Sequence, residues 1–238
     1  EHMDPVEYFR YSFLGFADPV SSMTHLIAAA FAIVFGIRLC TQFNGPNLQR
    51  CGLIIFVSCT VFMLSMSGVY HLLEHNSSGR YVLQHLDYAA IWLMIAGTFT
   101  PVHLLLFQGL KRWNVLIIIW LIAINGVIFM SIFFDDFPQW LALLFYLCMG
   151  WVGFYSGILV YREYGLEFVR FLGYGGIAYS VGAILDYIES LTIIIGVIET
   201  HEIFHFAIII GIICHWRFIE QAIELFEDGE NMATESEE

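Results

Sequence analysis

Long apolar stretches separated by short polar breaks dominate this chain. Seven of the stretches are long enough to cross a bilayer, which takes about 17 to 25 mostly apolar residues. They lie at residues 20–43, 51–74, 85–107, 113–134, 137–161, 171–188 and 201–219. The breaks between them carry turn-forming or charged residues, such as Asn44, Gly45 and Asp135. The pattern therefore predicts an all-α integral membrane protein, a seven-helix transmembrane bundle.

The composition agrees with a bilayer as solvent. Hydrophobic residues make up 59% of the 238 positions and charged residues 13%, whereas an ordinary soluble domain is about 25% charged. We expect residues 1–19 to be an interfacial segment whose first three residues are a cloning remnant, and residues 20–219 to be the transmembrane domain. The acidic residues 220–238 predict a disordered, solvated tail.

The basic residues indicate an orientation. Seven crossings would place the termini on opposite faces, with Arg10 and Arg80 on the N-terminal side. The other basic residues fall on the opposite side: Arg38, Arg50, Lys111, Arg112, Arg162, Arg170 and Arg217. Positively charged loops tend to stay cytoplasmic. We therefore expect a multi-pass protein of a bacterial inner membrane, with the N-terminus outside and the C-terminus in the cytoplasm.

Unusual polar residues cluster at one membrane face in this arrangement. His71 closes the second span, Asp87 opens the third, and His201 and His205 open the seventh. Parity places all three of these helix ends on the N-terminal face. Ser67 lies four residues before His71, which on a helix is the same face one turn away.

These residue types suit a metal ion. His201 and His205 are also four apart and point along one helix face. Three neutral imidazoles are a common ligand set for Zn²⁺, and a neighbouring carboxylate such as Asp87 offsets the charge and accepts a hydrogen bond from bound water. The alternative interpretation is that each histidine is an ordinary polar residue at the membrane interface. Their convergence at one level favours the metal site, because polar side chains inside membranes are costly and usually functional.

The segment from His201 to His205 also matches the HExxH pattern of zinc peptidases, in which the glutamate, here Glu202, is the general base. That interpretation requires a third ligand and a cleft for an extended peptide. Glu202 lies about 100° around the helix from His201 and could equally cap the helix or face headgroups.

Three separated motifs together resemble the haemolysin III family. The motifs are Ser67-Gly68-Val69-Tyr70-His71, Leu86-Asp87-Tyr88 with the following Ile95-to-Pro101 segment, and His201-Glu202-Ile203-Phe204-His205. This family belongs with the adiponectin and progestin receptors and, more distantly, the alkaline ceramidases.

The resemblance implies a seven-helix fold with zinc bound by His71, His201 and His205, and with Asp87 and Ser67 beside the metal-bound water. In the related receptors and ceramidases such a site is associated with hydrolysis of amide bonds in ceramide-like lipids. One departure lies in the first helix, where members of the family often carry Asn four residues before the histidine and this chain has Ser21. The Thr24-His25 pair is therefore not counted among the ligands.

Three functional hypotheses follow. The first is a zinc-dependent hydrolase of lipid amide or ester bonds, with Asp87 and Ser67 as catalytic residues. The second is a membrane receptor or regulator in which zinc is structural, and the third is a haemolysin-type membrane-perturbing protein. Membrane lipids, as surroundings, substrate or ligand, are the expected partners. Nucleic acid is not expected, because the sequence contains neither a glycine-rich phosphate loop nor a basic patch.

Overall fold

The computed structural model describes residues 12–189 and 191–235 and confirms an all-helical membrane protein. Within these residues, six helices are long and apolar enough to cross a membrane. They are α1 (Pro19–Gln42), α2 (Asn47–Leu72), α3 (Ser78–Leu106), α4 (Gly109–Phe133), α5 (Gln139–Ile188) and α6 (Thr200–Glu235). A short 3₁₀ turn, Phe134–Asp136, links α4 to α5. Most of the expected interfacial segment, residues 1–11, lies outside the described residues.

Helix α3 is the centre of the bundle. About 72% of its most apolar stretch is buried, against 17% to 44% for the other five helices, and it contacts α2, α4, α5 and α6. Its approach to α2 depends on Gly97, since a Cβ there would lie 2.7 Å from the Cβ of Cys59. The outer helices expose apolar side chains, such as Ile117 and Ile128 of α4. Such a surface is expected where the surrounding solvent is lipid.

Helix α5 folds back on itself at Gly165. This residue has φ 81° and ψ 178°, outside the helical region, within an element of 50 residues. The indole Nε1 of Trp151 donates a hydrogen bond to the Ser180 hydroxyl at 3.1 Å. Because 29 residues of straight helix would span about 43 Å, the two arms of α5 must run side by side in opposite directions.

The separate helices predicted at residues 137–161 and 171–188 are therefore one element here, and six membrane-length helices are found where seven were predicted. The physical reason is that the charged break at Arg162 and Glu163 stays helical. Only Gly165 leaves the helical dihedral range. The break is thus a sharp bend rather than a loop.

The acidic C-terminal region also differs from its prediction, because α6 continues as a helix to Glu235 instead of ending near Ile219. Its first turns beyond the apolar stretch pack against the α1–α2 connection. Phe226 lies against Phe43, with ring centroids 6.1 Å apart, and the Glu227 carboxylate accepts a hydrogen bond from the Asn44 backbone at 2.9 Å. Apolar side chains between the glutamates therefore anchor a segment that its charge alone marked as disordered.

The bend in α5 generates a stability prediction. Gly165→Ala is expected to lower the free energy of unfolding by about 1–3 kcal/mol, because this backbone conformation is essentially restricted to glycine. Gly150→Ala is the matched control. Both glycines lie on α5 with no atom within 4 Å of an added Cβ, but only Gly165 has a positive φ. Thermal unfolding in detergent should show a lower melting temperature for Gly165→Ala and an unchanged one for Gly150→Ala. Equal shifts would contradict the assignment of the bend.

Candidate metal centre

Three histidines converge between α2 and α6. His71 is the penultimate residue of α2, and His201 and His205 lie one turn apart in the first two turns of α6. His71 and His205 are buried, whereas His201 is half-buried. The structure therefore brings together the three histidines that the sequence analysis grouped.

The ring nitrogens of the cluster point at one another. The Nε2 atom of His201 lies 3.2 Å from Nε2 of His71 and 3.1 Å from Nε2 of His205. One ligand atom from each of the three lies within 4.8 Å of the others. Zn–N bonds of about 2.0–2.1 Å in a tetrahedral site place neighbouring ligand nitrogens about 3.3 Å apart. This group could therefore hold a metal ion with little rearrangement.

Two carboxylates fix which nitrogens face the centre. Nδ1 of His71 lies 3.0 Å from Oδ2 of Asp18, and Nδ1 of His201 lies 3.1 Å from Oδ1 of Asp186. An ionised carboxylate only accepts hydrogen bonds, so each Nδ1 must donate. In the neutral imidazoles, both facing Nε2 atoms then carry lone pairs. Two lone pairs at 3.2 Å repel unless a cation lies between them.

Asp87 and Ser67 lie beside the cluster without belonging to it. The Ser67 hydroxyl is buried and interacts with the carboxylate of Asp87, which also interacts electrostatically with His201. Among the described residues, the group whose ligand atoms approach within 4.8 Å contains the three histidines and not Asp87. Asp87 therefore lies near His201 without being one of the three candidate ligands.

Asp18 is a residue of this centre that the sequence analysis missed. It immediately precedes α1, is 3% exposed, and contacts His71, His75 and Arg80. Two successive crossings place the start of α1 on the same face as the end of α2, where His71 lies. Counting crossings could therefore have identified Asp18 from the sequence. Asp186 likewise contacts His201.

Glu202 has a structural position. One carboxylate oxygen accepts a hydrogen bond from the Ser21 hydroxyl at 3.1 Å, and the other accepts one from the Glu199 backbone N–H at 2.9 Å. The second contact reaches back three residues over the start of α6, as the glutamate of a capping box does. Both oxygens are thus used in joining α1 to α6 and capping α6, and the peptidase interpretation loses its general base.

Three further histidines differ in their contacts. His25 is fully buried and packs on His205, with ring centroids 4.1 Å apart, in keeping with its exclusion from the ligands. His75 reaches Asp18 at 3.4 Å. His85 turns away and stacks on Phe134 at 3.8 Å.

Comparisons with known proteins agree with these motifs. The family described as haemolysin-III related matches residues 16–216. The chain is 34% identical over 161 residues to Hemolysin-3 of Bacillus cereus, covering 65% of this chain and 70% of that protein. It is also 34% identical over 134 residues to a Hemolysin-3 homolog of Bacillus subtilis strain 168, covering 54% of this chain and 62% of that relative. The matched region contains the three histidines, Asp87 and Ser67, and the chain belongs to the haemolysin III related family.

Proposed function

We propose that this protein is a zinc-dependent membrane hydrolase that cleaves amide or ester bonds of lipids. The observation that carries the proposal is the convergence of three imidazole nitrogens. The Asp87 carboxylate interacts electrostatically with His201 but is outside the ligand group. Three protein ligands with an open fourth position are typical of catalytic zinc sites, and four are typical of structural ones.

Zinc fits the donor set, because three nitrogen ligands in near-tetrahedral spacing match its preferences. When bound, such an ion supplies a Lewis acid and makes a water molecule easier to deprotonate. Asp87 would take the proton from that water and return it to the leaving amine or alkoxide. The Ser67 hydroxyl, which hydrogen-bonds Asp87, would hold the carboxylate in place and orient the water.

The depth of the centre favours a lipid substrate. His71 is one residue from the end of α2, and His201 is one residue from the start of α6. The centre therefore lies near one end of the membrane-length helices. Ester and amide linkages of lipids occupy this depth, between the headgroups and the acyl chains, so a substrate can reach the centre without leaving the membrane.

We also propose that α5 crosses the membrane twice, giving seven crossings. If α5 crossed once, α6 would begin on the face opposite the end of α2. The contact of 3.2 Å between His71 and His201 requires those helix ends to share a face. The antiparallel contact between Trp151 and Ser180 supports the same arrangement. With basic loops inside, the N-terminus then lies outside and the C-terminus in the cytoplasm.

Catalysis can be tested by separating metal binding from turnover. Asp87→Asn should retain about one zinc per chain but lose at least 100-fold in kcat on a fluorescent N-acylsphingosine or matched lipid ester, the usual range for removing a general acid–base group. His205→Ala should lose both zinc and turnover, because a ligand is removed. His85→Ala is the control, since this residue lies two positions from Asp87 on α3 but stacks on Phe134. Zinc is measured by elemental mass spectrometry.

Full activity in Asp87→Asn would contradict the role of Asp87. Stoichiometric zinc in the wild type with no hydrolysis of either probe would contradict the hydrolase proposal. That result would favour the second hypothesis, a receptor or regulator in which zinc ties α2 to α6.

The crossings can be tested by labelling in cells. In a chain with its five cysteines replaced, Ile195→Cys should react with a membrane-impermeant maleimide added outside, because its 79% exposed side chain lies in the loop between α5 and α6. Leu166→Cys, 69% exposed beside the bend, should be protected until the membrane is opened. Labelling of Leu166→Cys from outside, with protection of Ile195→Cys, would contradict the orientation. Equal labelling of both would contradict the second crossing of α5.

A further inference from the structure

The Asp18 carboxylate is the most heavily engaged acidic group around the histidine cluster. Its side chain is 1% exposed and contacts Nδ1 of His71 at 3.0 Å, Nε2 of His75 at 3.4 Å and the guanidinium of Arg80. The Asp186 carboxylate, which contacts His201, is 32% exposed. The two carboxylates behind the cluster are therefore unequal in burial and in number of partners.

The backbone around Asp18 is fixed to the same helix end as the histidine it contacts. The Asp18 N–H donates to the carbonyl of His71 at 2.9 Å, and the Ala17 N–H donates to the carbonyl of Leu72 at 3.1 Å. The Asp18 carbonyl in turn accepts the Ser22 N–H in the first turn of α1. Any movement of the start of α1 would thus be transmitted to the ring of His71.

Arg80 compensates the charge of the buried Asp18 carboxylate. A buried carboxylate is costly without a counter-charge, and the Arg80 guanidinium supplies one. Arg80 is held by a hydrogen bond from Nη1 to the Leu73 carbonyl at 2.6 Å and lies over the Tyr70 ring at 4.5 Å. The pair therefore joins the first turn of α3 and the end of α2 to the residue that precedes α1.

We infer that Asp18, anchored by Arg80, is the dominant positioning residue of the metal centre, holding His71 in the tautomer whose Nε2 faces the ion. Asp186 gives His201 the same orientation from a half-exposed position where water can replace it. The inference rests on the proposed metal site and adds that its geometry is set from the segment before α1. Carboxylates that orient a ligating imidazole typically change metal affinity by 10- to 100-fold when removed.

The test is zinc affinity of the detergent-purified full chain, measured by competition with a chelator. Asp18→Asn should weaken zinc binding 10- to 100-fold, although its amide oxygen can still accept from Nδ1 of His71. Asp186→Asn, the matched control, should weaken binding less than Asp18→Asn does. Cobalt spectra should shift for Asp18→Asn and stay near wild type for Asp186→Asn, a signature of altered ligand orientation rather than of general destabilisation.

Asp18→Glu keeps the charge but displaces it by one methylene, and its affinity should fall between wild type and Asp18→Asn. Asp18→Glu also tests the inference if Asp18→Asn does not fold. Wild-type affinity in Asp18→Asn or Asp18→Glu, or a larger loss in Asp186→Asn, would overturn the inference. Absence of stoichiometric zinc in the wild type would instead overturn the proposed function on which it rests.

Discussion

Two imidazole nitrogens face each other across 3.2 Å between α2 and α6, and each belongs to a ring whose other nitrogen donates to a carboxylate. This contact between His71 and His201 favours a bound cation, because both facing atoms carry lone pairs in the neutral rings. The Asp18 carboxylate, buried beside Arg80, contacts the other nitrogen of His71, and His205 contacts His201. A metal ion could bind the nitrogens of all three histidines at once, whereas a proton can bridge only one pair of nitrogens.

The same contact constrains the whole topology. It requires the end of α2 and the start of α6 to lie on one face, and α5 meets this requirement by reversing at Gly165. A glycine is needed there because a side chain would strain a backbone with φ 81°. The site and the path of the chain are therefore linked, since a straight α5 would separate the ligands by the thickness of the membrane.

Sequence spacing and parity were enough to group the three histidines that the structure brings together. His201 and His205 lie on one helix face even if the predicted helix ends are wrong by a few residues. The same is true of Ser67 and His71. The residues that orient these ligands were harder to identify. Asp18 acts through a contact 53 residues away in sequence, and no local period encodes such a contact.

The structure differs from two sequence predictions: the seven separate helices and the disordered C-terminal tail. A charged break such as Arg162-Glu163 normally indicates a loop, but only Gly165 leaves the helical conformation. The charge of the tail predicted disorder, whereas burial of Phe43 against α6 stabilises a helix there. In the tail, tertiary packing decided what composition left open.

The most direct test of the metal centre is X-ray absorption at the zinc edge on the purified wild-type chain. The account predicts one zinc per chain with three imidazole nitrogens at about 2.0–2.1 Å and one oxygen from water. Four protein ligands including the Asp87 carboxylate would contradict an open catalytic position. Zinc well below one per chain, or fewer than three imidazoles, would contradict the centre itself.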